Sequence, residues 1–205
     1  MITIVDYGAG NLASIGNMLR RLGVDSRVTA SPTDVLSASK LILPGVGHFD
    51  HGMKNLRERG LDDALTQRVV RDGIPILGIC LGLQLFARGS EEGTLPGLGW
   101  IDADVRRFDV QRIGANLRIP HMGWANTTVE KPDPLTVDLP PDSRFYFVHS
   151  FHVVADHDED VWMRATHGYP FVAAIARGTI RGVQFHPEKS HKFGLRLLAS
   201  FAGNV

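Results

Sequence analysis

Only one of the 205 residues, Cys80, is a cysteine, which excludes an internal disulfide. A free thiol is expected in a reducing cytoplasm. Neither charge predominates, because 22 Lys and Arg are balanced by 22 Asp and Glu. Nothing in that balance suggests a nucleic-acid or membrane surface, which normally needs a basic cluster. No apolar run approaches the roughly 20 residues that cross a bilayer. The opening Met1-Ile-Thr-Ile-Val-Asp6 has no basic lead, so no secretory signal is expected. Repeats, low-complexity tracts and linkers are missing too, and residues 1–205 read as one domain. What is there, 43% hydrophobic and 21% charged residues, is the composition of a globular chain able to bury a sizeable core.

The first half alternates strand and helix signals. Ile2–Asp6 reads as a buried strand ending at Gly8-Ala9-Gly10. Asn11 caps a helix through Leu22, and Gly23 stops it. Val24–Thr29 and Lys40–Leu43 read as strands, the latter broken at Pro44-Gly45-Val46-Gly47. Leu61, Leu65, Val69 and Val70 lie at helical spacing before Gly73. Pro75–Ile79 is continuously apolar and runs into Cys80 and a helix to Arg88. This order predicts a parallel sheet with right-handed crossovers. After Leu98 the segments Trp100–Phe108, Arg144–His149, Val161–Thr166, Phe171–Ala176 and Thr179–Phe185 are strand-like without intervening helices. Arg177-Gly178 is a hairpin turn. The expected fold is α/β, a central mixed but mostly parallel sheet flanked by helices. The final helix, Ser190–Ala202, turns Phe193, Leu197, Leu198 and Phe201 to the core.

Cys80 carries the strongest chemical signal. A lone cysteine in an apolar run is by itself a small hydrophobe. Here Gly78 and Gly82 flank it symmetrically where a strand gives way to a helix, the pattern of a nucleophile elbow. A thiol of pKa about 8.5 is only a few per cent ionised at neutral pH. Lowering that pKa by about two units takes roughly 2.7 kcal/mol, which a helix terminus supplies only in part. A basic partner is required.

His186 fits that need. It follows the apolar strand Thr179–Phe185, and parallel sheets gather their sites at strand ends. Pro187 biases it toward extended backbone, and residues two apart in such a backbone share a side. Glu188 can then accept one imidazole N–H while the other nitrogen faces the sulfur. The loop Pro44-Gly45-Val46-Gly47 offers backbone N–H groups to an oxyanion. No Lys-Ser/Thr follows it, so it is no P-loop. Histidines 48, 51, 149, 152, 157, 167, 186 and 191 show no ligand spacing, and no metal or cofactor is expected.

Gly78-x-Cys80-x-Gly82-x-Gln84 combined with Phe185-His186-Pro187-Glu188 resembles the class I, triad-type glutamine amidotransferase family, over nearly the whole chain. The resemblance implies a flavodoxin-like fold, with Cys80 as nucleophile, His186 as general base and acid, and Glu188 as its orienting carboxylate. It also implies that Gly45, Val46, Gly47 and Gln84 help to bind L-glutamine. Within Tyr146–Phe151, it assigns His149, Ser150 and Phe151 to the amino-acid end of that substrate.

The segments Asp6–Leu12, Pro44–Gly47, Pro120–Trp124 and His186–Ser190 are similar to one branch of the family. That branch implies a heterodimer with a (β/α)₈-barrel cyclase/synthase subunit, to which ammonia is passed. The barrel converts a phosphoribosyl-formimino aminoimidazole carboxamide ribonucleotide to imidazole glycerol phosphate and aminoimidazole carboxamide ribonucleotide. Asn11, Met122, Trp124 and Lys189 are then expected at the interface; capping for Asn11 and core packing for Trp124 are the alternatives. Two departures stand out: Ala125 intervenes before Asn126, and His48 replaces a smaller residue. The glutaminase partner of pyridoxal phosphate synthase, a γ-glutamyl hydrolase and a catalytically silent regulatory subunit of the same fold remain open alternatives.

Overall fold

The computed structural model describes residues 1–204. Its first half contains β1 (Ile2–Val5), α1 (Leu12–Arg21), β2 (Ser26–Thr29), α2 (Pro32–Leu36), β3 (Leu41–Gly45), α3 (Phe49–Glu58), α4 (Leu61–Thr66), β4 (Ile76–Cys80) and α5 (Leu81–Gln84). The second half adds β5 (Ala103–Arg107), α6 (Val110–Ile113), β6 (His121–Asn126), β7 (Thr128–Val129), β8 (Arg144–His149), β9 (Phe151–Ala155), β10 (Val161–His167), β11 (Tyr169–Arg177), β12 (Ile180–Val183) and α7 (His191–Asn204).

Eight strands form one sheet in the order β2-β1-β3-β4-β12-β11-β10-β7. The first five run parallel and the last three antiparallel, which is the mixed, mostly parallel sheet that the element order predicts. Two antiparallel ribbons, β5–β9 and β6–β8, lie outside it. Strands β1, β3 and β4 are buried at every residue because helices cover both faces. Alternation sorts their side chains into two cores. Leu41, Leu43 and Ile76 meet Phe49, Met53, Leu56, Leu61 and Leu65 of α3 and α4 on one face. Ile4, Ile42 and Leu77 meet Ile15 and Leu19 of α1 and Leu197, Leu198 and Phe201 of α7 on the other. Among the described residues no helix is long and apolar enough to cross a membrane.

Several local expectations change. Strand β3 does not break at Pro44 but continues through Gly45, which pairs with Cys80. β1 flanks β3 only at Leu41 and Ile42, so Pro44 lies where one side of the strand is already free of that neighbour. The helix after Cys80 is a single turn, and Leu85–Arg88 leave it in tighter turns rather than continuing it. Val70 is exposed while Val69 is buried, because Gln67–Arg71 widens into a π-turn and shifts the helical phase. Helices α2 and α3 and strands β6, β7 and β9 lie outside the segments that hydropathy marks.

Candidate active site

Strand β4 ends at Cys80, whose backbone has φ 54° and ψ −107°. Only His191 shares a positive φ with it among the described non-glycine residues. Such a conformation costs of order 1–3 kcal/mol and persists because its surroundings impose it. The flanking glycines impose it by permitting close approach, since neither carries a positive φ. A Cβ on Gly78 would lie 2.6 Å from the Phe86 ring, and one on Gly82 would lie 1.8 Å from the Leu43 carbonyl oxygen. The strain itself falls on Cys80.

Strand β12 runs parallel to β4 with Gly182 opposite Gly78 and Val183 opposite Ile79. The residues that follow it therefore arrive beside Cys80. His186 is extended, φ −102° and ψ 97°, as Pro187 requires. Glu188 reaches it differently from the expected extended pair: Pro187–Lys189 forms a 3₁₀ turn. Nδ1 of His186 donates to Glu188 Oε1 at 2.8 Å, both side chains being almost wholly buried. This bond leaves Nε2 as the nitrogen that can exchange a proton with the site. Nε2 has no hydrogen-bond partner of ordinary geometry, although Cys80 is close enough to act on the ring, and Glu188 Oε2 also lacks a partner. Burial opposes charging of His186, but the Cys80 sulfur and the Glu188 carboxylate outweigh it and push the pKa up to about 10.

A cavity of about 350 Å³ opens over Cys80. Its wall includes Val46, Gly47, Gln84, His149, Ser150 and Phe151, so six of the seven expected binding residues come together there. Gly45 does not line it. It lies beneath, in β3, where a Cβ would meet the Tyr7 hydroxyl at 2.1 Å. That hydroxyl is buried without a partner, and burial together with the nearby Cys80 pushes its pKa up.

Leu81, Glu92, Pro120 and Val148 complete the wall; Val148 belongs to the Tyr146–Phe151 stretch already expected there, while the other three are not singled out by sequence as binding residues. Glu92 is the one carboxylate in it among the described residues. Its Oε2 accepts from the Phe49 N–H at 2.8 Å, which anchors the side chain at the start of α3. In sequence Ser90-Glu91-Glu92-Gly93 reads as a solvated turn, so nothing flags it.

Met122 and Trp124 are 63% and 42% exposed on β6, which removes core packing as the explanation of Trp124. The indole stacks on His191 with 5.4 Å between centroids and also meets Tyr146, over which Lys189 Nζ sits at 5.7 Å. Trp124 and Lys189 thus share a surface beside the turn that carries Glu188. Asn11 has the capping role: its Oδ1 accepts from Ser14 N at 3.4 Å. Ala125 fits the β6–β8 register opposite Phe145 without a bulge. His48 is a cap as well, its Nδ1 accepting from Asp50 N at 3.2 Å.

The class-I glutamine amidotransferase family model matches residues 3–203. The chain is 46% identical over 201 residues to imidazole glycerol phosphate synthase subunit HisH 2 of Pseudomonas aeruginosa, covering 98% of each chain. To the subunit HisH 2 of Methanococcus maripaludis it is likewise 46% identical, again over 98% of each. To HisH of Leptospira interrogans it is 42% identical over 98% of this chain and 99% of the other. Among solved structures, one crystal structure of a glutamine amidotransferase superposes with a TM-score of 0.71 at 22% identity, covering 98% of this chain and 97% of that one. A glutamine amidotransferase from Thermotoga maritima gives 0.66 at 17%, covering 98% and 81%. At these identities the structural likenesses speak to the fold.

Proposed function

The chain belongs to the class-I glutamine amidotransferase family, and from that premise we propose that it is the glutaminase subunit of an imidazole glycerol phosphate synthase. One observation carries the catalytic reading: Cys80 lines a cavity, and the neighbouring parallel strand brings the buried His186 close enough to act on its sulfur, with Glu188 behind the imidazole. The full-length likeness to subunits of that name supports the branch.

In the proposed reaction the Cys80 proton already rests on His186 Nε2, whose raised pKa favours the imidazolium, and the thiolate attacks the side-chain amide carbon of glutamine. The imidazolium returns that proton to the departing nitrogen, and ammonia leaves a glutamyl thioester. Water, deprotonated by His186 Nε2, attacks the thioester carbonyl, and glutamate is released as the thiolate leaves beside the re-formed imidazolium. The backbone at Val46 and Gly47, which lines the cavity with Cys80, offers N–H donors to the oxyanion, where one such donor is typically worth about 100- to 1000-fold in rate. Glu92 suits the α-ammonium of the substrate by charge.

Ammonia protonates in bulk water, so handover to a docked (β/α)₈-barrel cyclase subunit completes the proposal. That subunit uses it on the phosphoribosyl-formimino ribonucleotide to form imidazole glycerol phosphate. Met122, Trp124 and Lys189 form the docking surface, with Asn11 at its margin, and the pair works in the reducing cytoplasm that keeps Cys80 free. Reconstitution tests this. With a purified barrel subunit and its nucleotide substrate, glutamate release should rise well above that of the chain alone, and a glutamine-mimicking electrophile should label Cys80. Absence of labelling in the complex would favour a silent regulatory subunit. Trp124→Ala with Lys189→Ala should weaken complex affinity at least 10-fold, as exposed aromatic anchors do. Unchanged affinity would remove this surface from the interface.

A further inference from the structure

Two residues before His186, a wholly buried side chain reaches the sulfur: Gln184 Nε2 lies 3.6 Å from Cys80 Sγ. Its orientation is fixed by neighbours that can bond in only one sense. The Phe151 carbonyl only accepts. It takes a hydrogen bond from Gln84 Nε2 at 3.1 Å and another from His149 Nδ1 at 2.8 Å. Gln84 thus presents its NH₂, and the second hydrogen of that group goes to Gln184 at 3.1 Å. Gln184 must therefore turn Oε1 to Gln84 and Nε2 to the sulfur. His149 Nε2 is left as an acceptor, filled by His121 Nδ1 at 3.3 Å, so each link in the chain has a single direction.

The sulfur needs such a donor. The helix after Cys80 is one turn long, too short for the stabilisation a longer helix terminus gives an anion. His186 gives up its proton to the leaving nitrogen during the reaction and cannot serve the sulfur throughout. A carboxamide does not titrate, so its N–H faces the sulfur at every stage.

We propose that Gln184 is a catalytic residue, donating its side-chain N–H to Cys80 Sγ. It stabilises the thiolate before attack and again when water expels that thiolate from the thioester. The proposal rests on the reading of Cys80 as nucleophile and adds to it a second side-chain contact on the sulfur beside His186.

Because Cys80 is the only cysteine, its alkylation by iodoacetamide across pH 5–10 reports on this sulfur alone. Gln184→Met keeps the length and removes the donor; Gln184→Glu keeps the length and faces the sulfur with an acceptor. Gln184→Met should shift the alkylation profile up by about one pH unit and slow the reaction about 10-fold at pH 7, the worth of a hydrogen bond to a charged group. Gln184→Glu should shift it further. A Gln184→Met profile superimposable on that of the unsubstituted chain, with the melting temperature retained, overturns the proposal. If the variants do not fold, the unsubstituted chain decides. The Gln184 side-chain amide signal in a ¹⁵N–¹H spectrum should move with pH along the alkylation profile and change on alkylation, and a signal indifferent to both overturns it. Should Cys80 of the unsubstituted chain, alone and with the barrel subunit, react no faster than a free thiol, the nucleophile reading fails and takes this inference with it.

Discussion

Glu188 contributes orientation, through the hydrogen bond to Nδ1, and shares with the Cys80 sulfur the charge that favours the imidazolium. The hydrogen bond to Nδ1 fixes the tautomer, while the carboxylate helps to hold the imidazole pKa near 10 against burial. Glu188→Gln preserves shape and removes both effects, and its amide can donate to Nδ1 and select the wrong tautomer. Glutamine-dependent synthesis should fall roughly 10³- to 10⁴-fold in kcat, the scale seen when a triad carboxylate becomes an amide. KM should change little, because Glu188 does not line the cavity. In the same variant the His186 imidazole should titrate below 10, as burial is then opposed by the sulfur alone. The sign of the linked stability follows from the raised pKa. A charged His186 contributes stability in full below about 6.5, and that contribution is lost as the pH rises through about 10. A kcat within a few-fold of that of the unsubstituted chain would leave Glu188 as a structural residue only.

The elbow between β4 and α5 shows how much of an element sequence can reveal. Gly78-x-Cys80-x-Gly82 is legible as a motif because the spacing alone names the junction. Its physical basis is not, since glycines that permit strain and glycines that permit contact look identical in sequence. The Leu43 carbonyl against Gly82 belongs to a strand nearly forty residues upstream. Two matched substitutions separate the kinds of glycine. Gly82→Ala places a methyl 1.8 Å from that oxygen, which must move. A loss of about 3 kcal/mol or more in urea unfolding is expected, with slowed alkylation of Cys80. Gly16 lies within α1 with nothing within 4 Å of its added Cβ. Gly16→Ala should instead stabilise by about 0.5–1 kcal/mol through helix propensity. Equal effects at the two positions would mean that contact at Leu43 is not what demands glycine at 82.

Across the whole molecule, the parallel half was legible because strands buried on both faces spell continuous apolar runs. The antiparallel half was less so. In β6 the rule is inverted: His121 points inward while Met122 and Trp124 face out, and His149 and His152 on β8 and β9 are buried as well. His121, His149, His152 and His167 gather from four strands around the Phe108 ring. Burial, with the neighbouring His167, lowers the His121 pKa to about 4. Burial likewise pulls His149 well below its ordinary value and lowers His152, whose charged neighbours are Arg112 and Glu91. The lowered pKa values favour neutral His121, His149 and His152 in the folded chain, and these three rings take up protons more readily once unfolded. The contribution of these rings should therefore be complete above about pH 6.5 and be lost as the pH drops toward 4, since the unfolded state binds more protons in that window. His121→Phe fits between Phe147 and His167, on which the imidazole already stacks. It deletes one of those protons and also the hydrogen bond to His149 Nε2. At pH 7.5 the variant should be less stable by about 1 kcal/mol, the worth of that bond. Its stability should then decline less steeply with acid, by up to about 1.4 kcal/mol per pH unit. The two curves, taken from urea unfolding between pH 7.5 and 4.5, should converge as the pH falls. Parallel curves would place the acid sensitivity elsewhere in the molecule.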